Sequence, residues 1–414
     1  MQQEAPEAIR LDENYRFNPF DYRFHAEPRA VYRFLRDHSP IHYNESLNLY
    51  VLSRYADVSA ALKSDDRYSF CHSDTYEVLH PERFADLVGF FCQDSPAHNG
   101  RRQLAGRPFT PQRSSALAPL IRGYGEHFIE IALRRSYPAD GVIDFMNDIA
   151  SPLSMAVIAD LIGLPANDRD RVRRWIDLTV SRDNGSAMVQ QEALKASEQL
   201  LKYLYEFWAE RCRQGAGSAS ITDRIIHVVE SGQLSRQHGI SFLWALCFAG
   251  QEATAKLLGN AIHLARSNNL EYVLHRSPHL IKEFLIEVMR MDSPAQIVYR
   301  TVVEEEQRHG VHIKKGARAA LLLGSANVDE RAFGADASEL KMGRAPAVDM
   351  LTFGWGSHYC LGRHLGELEA IICLQQFFER VRGYRIDADR SSRVHTSTVH
   401  GFSSLPLLDI DLVN

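Results

Sequence analysis

At 414 residues, with 45% hydrophobic and 24% charged side chains, the chain has the composition of a globular protein with ample material for a core. A formal net charge of −5 gives no global attraction to nucleic acid or to an anionic membrane. The six cysteines (Cys71, Cys92, Cys212, Cys247, Cys360 and Cys373) are few and irregularly spaced, which points to a reducing, cytoplasmic compartment rather than a disulfide framework. The polar, acidic N-terminus lacks the basic start and apolar centre of a signal peptide. No stretch of about 18 apolar residues stands out, so no membrane-spanning helix is expected.

In chain order, residues 28–37 carry a helical pattern, and the alternating apolar residues of 41–53 around a polar turn predict a hairpin. From about 114 to 162 and from 167 to 229 the periodicity is that of amphipathic helices, with breaks expected near Pro138, Pro152 and Pro165. Residues 239–265 are strongly apolar and free of proline, as in a helix that crosses a core. After Pro294 the pattern turns toward strands over 297–302 and 319–324, and the segment 401–407 predicts another hairpin. No internal repeat or low-complexity linker divides the chain, which predicts one domain over 1–414. Its expected β-rich lobe comes from about 38–55, 296–325 and 394–410.

The most informative stretch is Phe353-x-x-Gly356-x-x-x-Cys360-x-Gly362. Gly354 and Gly356 lie where no helical or strand period holds, as tight turns require. After Gly362 the apolar spacing becomes helical, so Cys360 is expected near a helix N-terminus. Unpaired N–H groups and the helix dipole there favour a thiolate. A lone loop cysteine is by default a small buried apolar side chain. Presented in this way, however, it is suited to be an axial ligand that pushes electron density onto haem iron.

The spacing resembles the haem-binding loop of the cytochrome P450 family, the haem-thiolate monooxygenases, at all of its defining positions. The resemblance extends from about Phe17 to Leu407 and implies a mainly α fold with a minor β lobe, haem b lying between the long central helix and the cysteine loop. It implies Cys360 as the iron ligand, with Phe353, Gly354 and Gly362 around it and Ala249 and Gly250 of the long helix against the ring. Glu287 and Arg290 lie three apart on one helical face. They match the family's Glu-x-x-Arg, a structural pair that braces the segment leading to the cysteine. Arg344 is the candidate third member, since Met350 stands where many bacterial relatives carry histidine. His98 and Arg102 resemble the family's His-x-x-x-Arg, and together with Arg300 and His358 they form the set expected at the haem propionates.

The long helix carries Ala249, Gly250, Gln251, Glu252, Ala253 and Thr254. A glycine inside a helix costs about 1 kcal/mol relative to alanine, which usually has a packing or ligand reason. The family pattern is Ala-Gly-x-acid-Thr, its acid and alcohol serving proton delivery to dioxygen. Here the acid is Glu252 and the alcohol position is Ala253. Thr254 comes one residue later, turned by about 100° on the helix. Glu252, Ala253 and Thr254 are therefore the catalytic candidates, with protons expected through Glu252, ordered water and a substrate hydroxyl.

For substrate contacts the resemblance implies Phe84, Phe90 and Phe91 over the pocket. It adds Ala245, Phe248, Gln296, Val298, Thr398 and Val399 toward the haem face. Arg101, Arg107, Arg113 and Arg363 are candidates for a basic patch that receives an acidic ferredoxin-type donor. That donor and its reductase would bring electrons from NAD(P)H, since the chain shows no flavin or iron–sulfur segment. The implied reaction inserts one oxygen atom from O2 into a C–H or C=C bond of a mid-sized organic molecule, in bacterial secondary metabolism. Two alternatives are oxidative coupling or ring closure without oxygen insertion, and a non-catalytic haem-binding sensor.

Overall fold

The computed structural model describes residues 9–70, 93–136, 141–215, 217, 220–345 and 347–413. Helices dominate, and the long helix Arg236–Ser267 runs through the largest apolar cluster. Its 32 residues span about 48 Å at 1.5 Å per residue. Ser235 caps it by accepting from the His238 N–H, and it ends before Asn269, whose φ of 54° only a short polar side chain or glycine adopts readily. Against it pack Ser151–Ile162, the helix Ile281–Met291 and the C-terminal helix Arg363–Arg380, whose apolar faces meet in the same cluster.

The expected helix over 28–37 is present as Pro28–His38, opened by its proline in the first turn. The break expected at Pro152 is not. A π-helical segment Phe145–Ala150 continues directly into Ser151–Ile162, and Pro152 falls in the first turn, where its missing N–H costs little. This continuous run also corrects the membrane expectation. Phe145–Ile162 is apolar enough to cross a bilayer (mean hydropathy 1.3), yet 72% of it is buried inside the protein.

The principal sheet has the strand order Ile41–Asn44, Leu49–Leu52, Arg318–Leu322, Ile297–Val302 and Tyr68–Ser69. The hairpin pairs Ile41 with Leu52, and Leu49–Leu52 runs parallel to Arg318–Leu322. The third expected piece of the β lobe goes elsewhere. Phe402–Ser404 pairs with Ser392–Arg393, whereas Pro406–Leu412 lies between Val381–Ile386 and Ile143–Asp144. The segment 401–407 is therefore no hairpin: Phe402, Leu405 and Leu407 face the helical core, and burying them separates the two strands. A bridge between Ala295 and Val399, the Gln296 N–H donating to the Thr398 carbonyl at 2.9 Å and the Tyr299 hydroxyl donating to the Ser397 carbonyl at 3.2 Å link this tail to the principal sheet.

Candidate active site

The cysteine loop is built by its glycines. Gly354 and Gly356 have φ of 69° and 72°, and a Cβ at Gly356 would come within 3.3 Å of the Leu62 carbonyl oxygen. The Cys360 N–H closes the loop by donating to the Phe353 carbonyl at 2.9 Å. Gly362 then forms the cap of Arg363–Arg380. Burial pushes the Cys360 thiol up. The Gly362 and Arg363 backbone N–H groups and the charge of Arg102 pull it back toward the thiolate. The side chain lies deep in the fold, yet its surface is exposed, because it opens onto an internal cavity.

That cavity, of ≈ 260 Å³, lies between the loop and the long helix. Ala249, Gly250, Ala253 and Thr254 form part of the helix-side wall, with Phe242, Leu246 and Leu257 as apolar neighbours. His98, Arg102 and His358 also line it. His98 is 2% exposed, stacks on His358 with ring centroids 4.0 Å apart, and contacts the Ser357 carbonyl through Nε2 at 3.2 Å. Arg102 donates to the carbonyl of Tyr359, the residue before the cysteine. Phe70 stacks on the other side of His358 at 4.2 Å, and the Arg300 guanidinium lies 4.2 Å from the centre of the Phe70 ring. Crowding by these cations and burial lower the His358 pKa to about 3, with burial the larger cause.

Comparison with known proteins places this arrangement. The Cytochrome P450 family profile matches residues 260–398. Cytochrome P450 123 of Mycobacterium tuberculosis is 34% identical over 397 residues, covering 94% of this chain and 96% of its own. The chain belongs to the cytochrome P450 family. The polyketide biosynthesis cytochrome P450 PksS of Bacillus subtilis is 27% identical over 89% of this chain and 92% of its own. The crystal structure of CYP109E1 from Bacillus megaterium in complex with testosterone superposes with a TM-score of 0.82 at 26% identity, covering 92% of this chain and 98% of that one. As a P450 the protein is a haem-dependent monooxygenase.

The cavity suits that group. Its walls are mainly apolar, a thiol opens into it, and the buried Nε2 of His358 has no hydrogen-bond partner among the described residues. The P450 Glu-x-x-Arg positions form a tight network. Arg290 holds Glu287 through two bonds of 2.7 and 2.9 Å and also donates to the carbonyls of Asn327, Ala337 and Glu339. Arg344 joins at 3.2 Å, so the third member comes from the segment after Glu339 rather than from position 350. Met350 packs against the apolar core instead.

Other candidates fall away from the cavity. Glu252 is buried at 5% exposure but does not form part of the cavity wall. Gln296 requires correction: its amide donates to the Ser293 carbonyl at 2.6 Å and accepts from the Tyr32 hydroxyl at 2.6 Å, so it holds the fold together. The neighbouring Ser293, Pro294 and Ala295 line the cavity in its place. Ala245, Phe248, Val298, Thr398 and Val399 do not form its wall either, and Phe84, Phe90 and Phe91 lie outside the described residues. Phe70 and Glu369 were not foreseen. Phe70 is a single aromatic at the end of a short strand, with no motif to mark it. Glu369 sits nine residues beyond Cys360 on an amphipathic helix, where a carboxylate reads as a solvated face.

Proposed function

We propose that the protein inserts one oxygen atom from O2 into a C–H or C=C bond of a mid-sized organic substrate, with a role in secondary metabolism. The observation that carries this reading is the Cys360 thiol opening into a mainly apolar cavity walled by the small residues Ala249, Gly250 and Ala253. Cys360 holds the haem iron, and His98, Arg102, Arg300 and His358 hold the propionates. Bound there, haem supplies reductive activation of dioxygen.

The chain's own residues do the rest. The Gly362 and Arg363 N–H groups bias Cys360 toward the thiolate and fix its direction. The apolar wall excludes water and binds the substrate by burial of its hydrocarbon surface. Glu252, behind the wall, moves protons through ordered water, and a hydroxyl on the substrate substitutes for the alcohol missing at Ala253. The polyketide-pathway relative and the testosterone-bound neighbour support a substrate of this size and polarity.

Electrons come from NAD(P)H through a reductase and a ferredoxin-type donor. Arg107 and Arg113 are exposed close to the cysteine loop, where a Cβ at the adjacent Gly106 would lie 3.2 Å from Leu361 Cδ1. Arg363 is tied to Glu367 at 2.9 Å and covers Phe353, and Arg101 is partly buried, so the exposed pair carries most of the attraction. Ferredoxin-supported turnover should fall as ionic strength rises. A flat salt profile would refute this docking face.

The deciding experiment is the visible spectrum of the reduced, carbon monoxide-bound protein. The thiolate signature should be present in the wild type and absent in Cys360→Ala. Its presence in both would remove Cys360 as ligand. Ala253 on the cavity wall also favours a second reading, oxidative coupling without oxygen insertion. Product mass separates the two, since insertion adds an oxygen atom and coupling removes hydrogens.

A further inference from the structure

Residues 293–295 form part of the cavity wall, and the chain holds this strap from both ends. On its strand side are the Ala295–Val399 bridge and the bond from the Gln296 N–H to the Thr398 carbonyl. On its helix side stands Asp292, which closes the helix Ile281–Met291 and is 7% exposed. Its carboxylate lies 2.8 Å from Nδ1 of His400, a residue only 3% exposed whose backbone N–H donates to the Pro294 carbonyl at 2.8 Å. Nε2 of the same ring meets the His25 carbonyl at 3.0 Å. Both ring nitrogens therefore face acceptors, the arrangement of an imidazolium.

The long helix ties the same two residues together a second time. Asn260, fully buried on that helix, donates through Nδ2 to the Asp292 carbonyl at 2.9 Å and to the His400 carbonyl at 3.2 Å. Ser293 uses its hydroxyl on the Ala295 carbonyl at 3.0 Å and its own carbonyl on the Gln296 amide at 2.6 Å. Those bonds are internal to the strap, so its polar ties to the long helix run through Asp292 and His400. Burial opposes the charge on Asp292, and His400, then Arg393 and Arg29, outweigh it. Taking away either member of the pair leaves the other desolvated without its contact partner.

We propose that His400, through its pair with Asp292, is a positioning residue that sets how residues 293–295 stand against the cavity and thereby the shape of molecule the site accepts. The inference deepens the monooxygenase reading above and rests on it. Neither Asp292 nor His400 forms part of the wall, so the pair acts through the strap it holds. A ligand packed on an apolar wall is sensitive to small displacements of that wall, because a gap of roughly 0.5–1 Å already forfeits a quarter to a half of the dispersion well. In this way residues 396–400 govern selectivity although Thr398 and Val399 stay off the wall.

Two iron-binding probes test this in the loaded protein by optical titration: imidazole, and 4-phenylimidazole, whose phenyl ring must share the cavity that the strap helps to wall. In His400→Gln and in Asp292→Asn the affinity for 4-phenylimidazole should fall about 10-fold, while imidazole keeps its wild-type affinity and the thiolate signature persists. The double variant Asp292→Asn/His400→Gln strands no charge in the interior, which keeps the test available if a single variant fails to load haem. It should show the same loss and no more, since each single change already breaks the pair. A wild-type affinity for 4-phenylimidazole in the double variant, a loss matched by imidazole, or single losses that add would overturn the proposal. Absence of the thiolate signature in the wild type would instead overturn the reading beneath it.

Discussion

Gly250 gives a sharp test of why a helix-weakening residue sits in the longest helix of the fold. On propensity alone, Gly250→Ala should stabilise by about 1 kcal/mol. The structure reverses the sign. A Cβ at Gly250 would lie 2.6 Å from both Cγ1 and Cδ1 of Ile158 and 3.2 Å from its Cβ. Ile158 is 2% exposed on a helix packed along the long one; its branched end borders the cavity, but the close approach to its Cβ remains whichever way the side chain turns. Overpacking of this kind costs about 1–3 kcal/mol, which leaves a net loss of about 0–2 kcal/mol for Gly250→Ala. Ile158→Ala removes both of the nearest carbons at its own cost of about 2–5 kcal/mol. In that background, Gly250→Ala should stabilise by about 1 kcal/mol or more, since the new methyl partly fills the space left. Urea unfolding of the four haem-free proteins gives the coupling, expected at about 1–3 kcal/mol. Equal destabilisation by Gly250→Ala in both backgrounds would refute the argument and assign the glycine to the cavity instead of to helix packing.

Arg290→Ala should cost about 3–5 kcal/mol, because it leaves Glu287 without its main buried partner and takes the side-chain donor from the Asn327 and Ala337 carbonyls, Glu339 keeping Arg344. Denaturant unfolding and haem uptake both read this, and Arg344→Ala should be milder because the Glu287–Arg290 bonds remain. Acid unfolding should depend on Asp292. Burial pushes that carboxyl up, but His400 at 2.8 Å, with Arg393 and Arg29, more than offsets it and holds the pKa at about 2. A folded pKa below the unfolded value stabilises fully at pH above the unfolded pKa and is lost as pH falls through the folded one. Asp292 therefore contributes about 2 kcal/mol that disappears between about pH 4 and pH 2. Stability measured across that window should fall less steeply in Asp292→Asn; an unchanged slope would count against the assignment. Ala253→Thr should raise product formed per reductant consumed with substrates that lack a hydroxyl, and unchanged coupling with every substrate would argue against substrate assistance.

The parts of the site that could be read in the sequence are those whose chemistry is local. Gly354 and Gly356 announce a turn because glycine takes their positive φ with no steric cost, and that turn delivers Cys360 to a helix start. Glu287 and Arg290 share a face at any helical spacing of three, so their pairing follows once the helix is granted. What could not be read depends on neighbours distant in sequence. Pro152 looks like a break until the π-helical turn before it is seen. Gln296 looks like a polar group near a pocket until Tyr32, from the other end of the chain, claims its oxygen. Phe402 and Leu405 look like one hairpin until the helical core separates their strands.

The same distinction separates Ala253 from Thr254. In sequence, the shift from Ala253 to Thr254 reads as a loss, because about 100° of rotation takes the hydroxyl off the position where the family pattern expects it. In three dimensions that rotation has a destination. Thr254 meets Gly366, whose lack of a side chain lets the two helices approach, and one turn onward lies the buried Glu369, bonded to Ser154. A threonine at 253 would restore a hydroxyl to the wall without disturbing that junction. Ala253→Thr and Thr254→Val therefore probe separate routes, and comparing their effects on coupling shows which one supplies protons to the cavity.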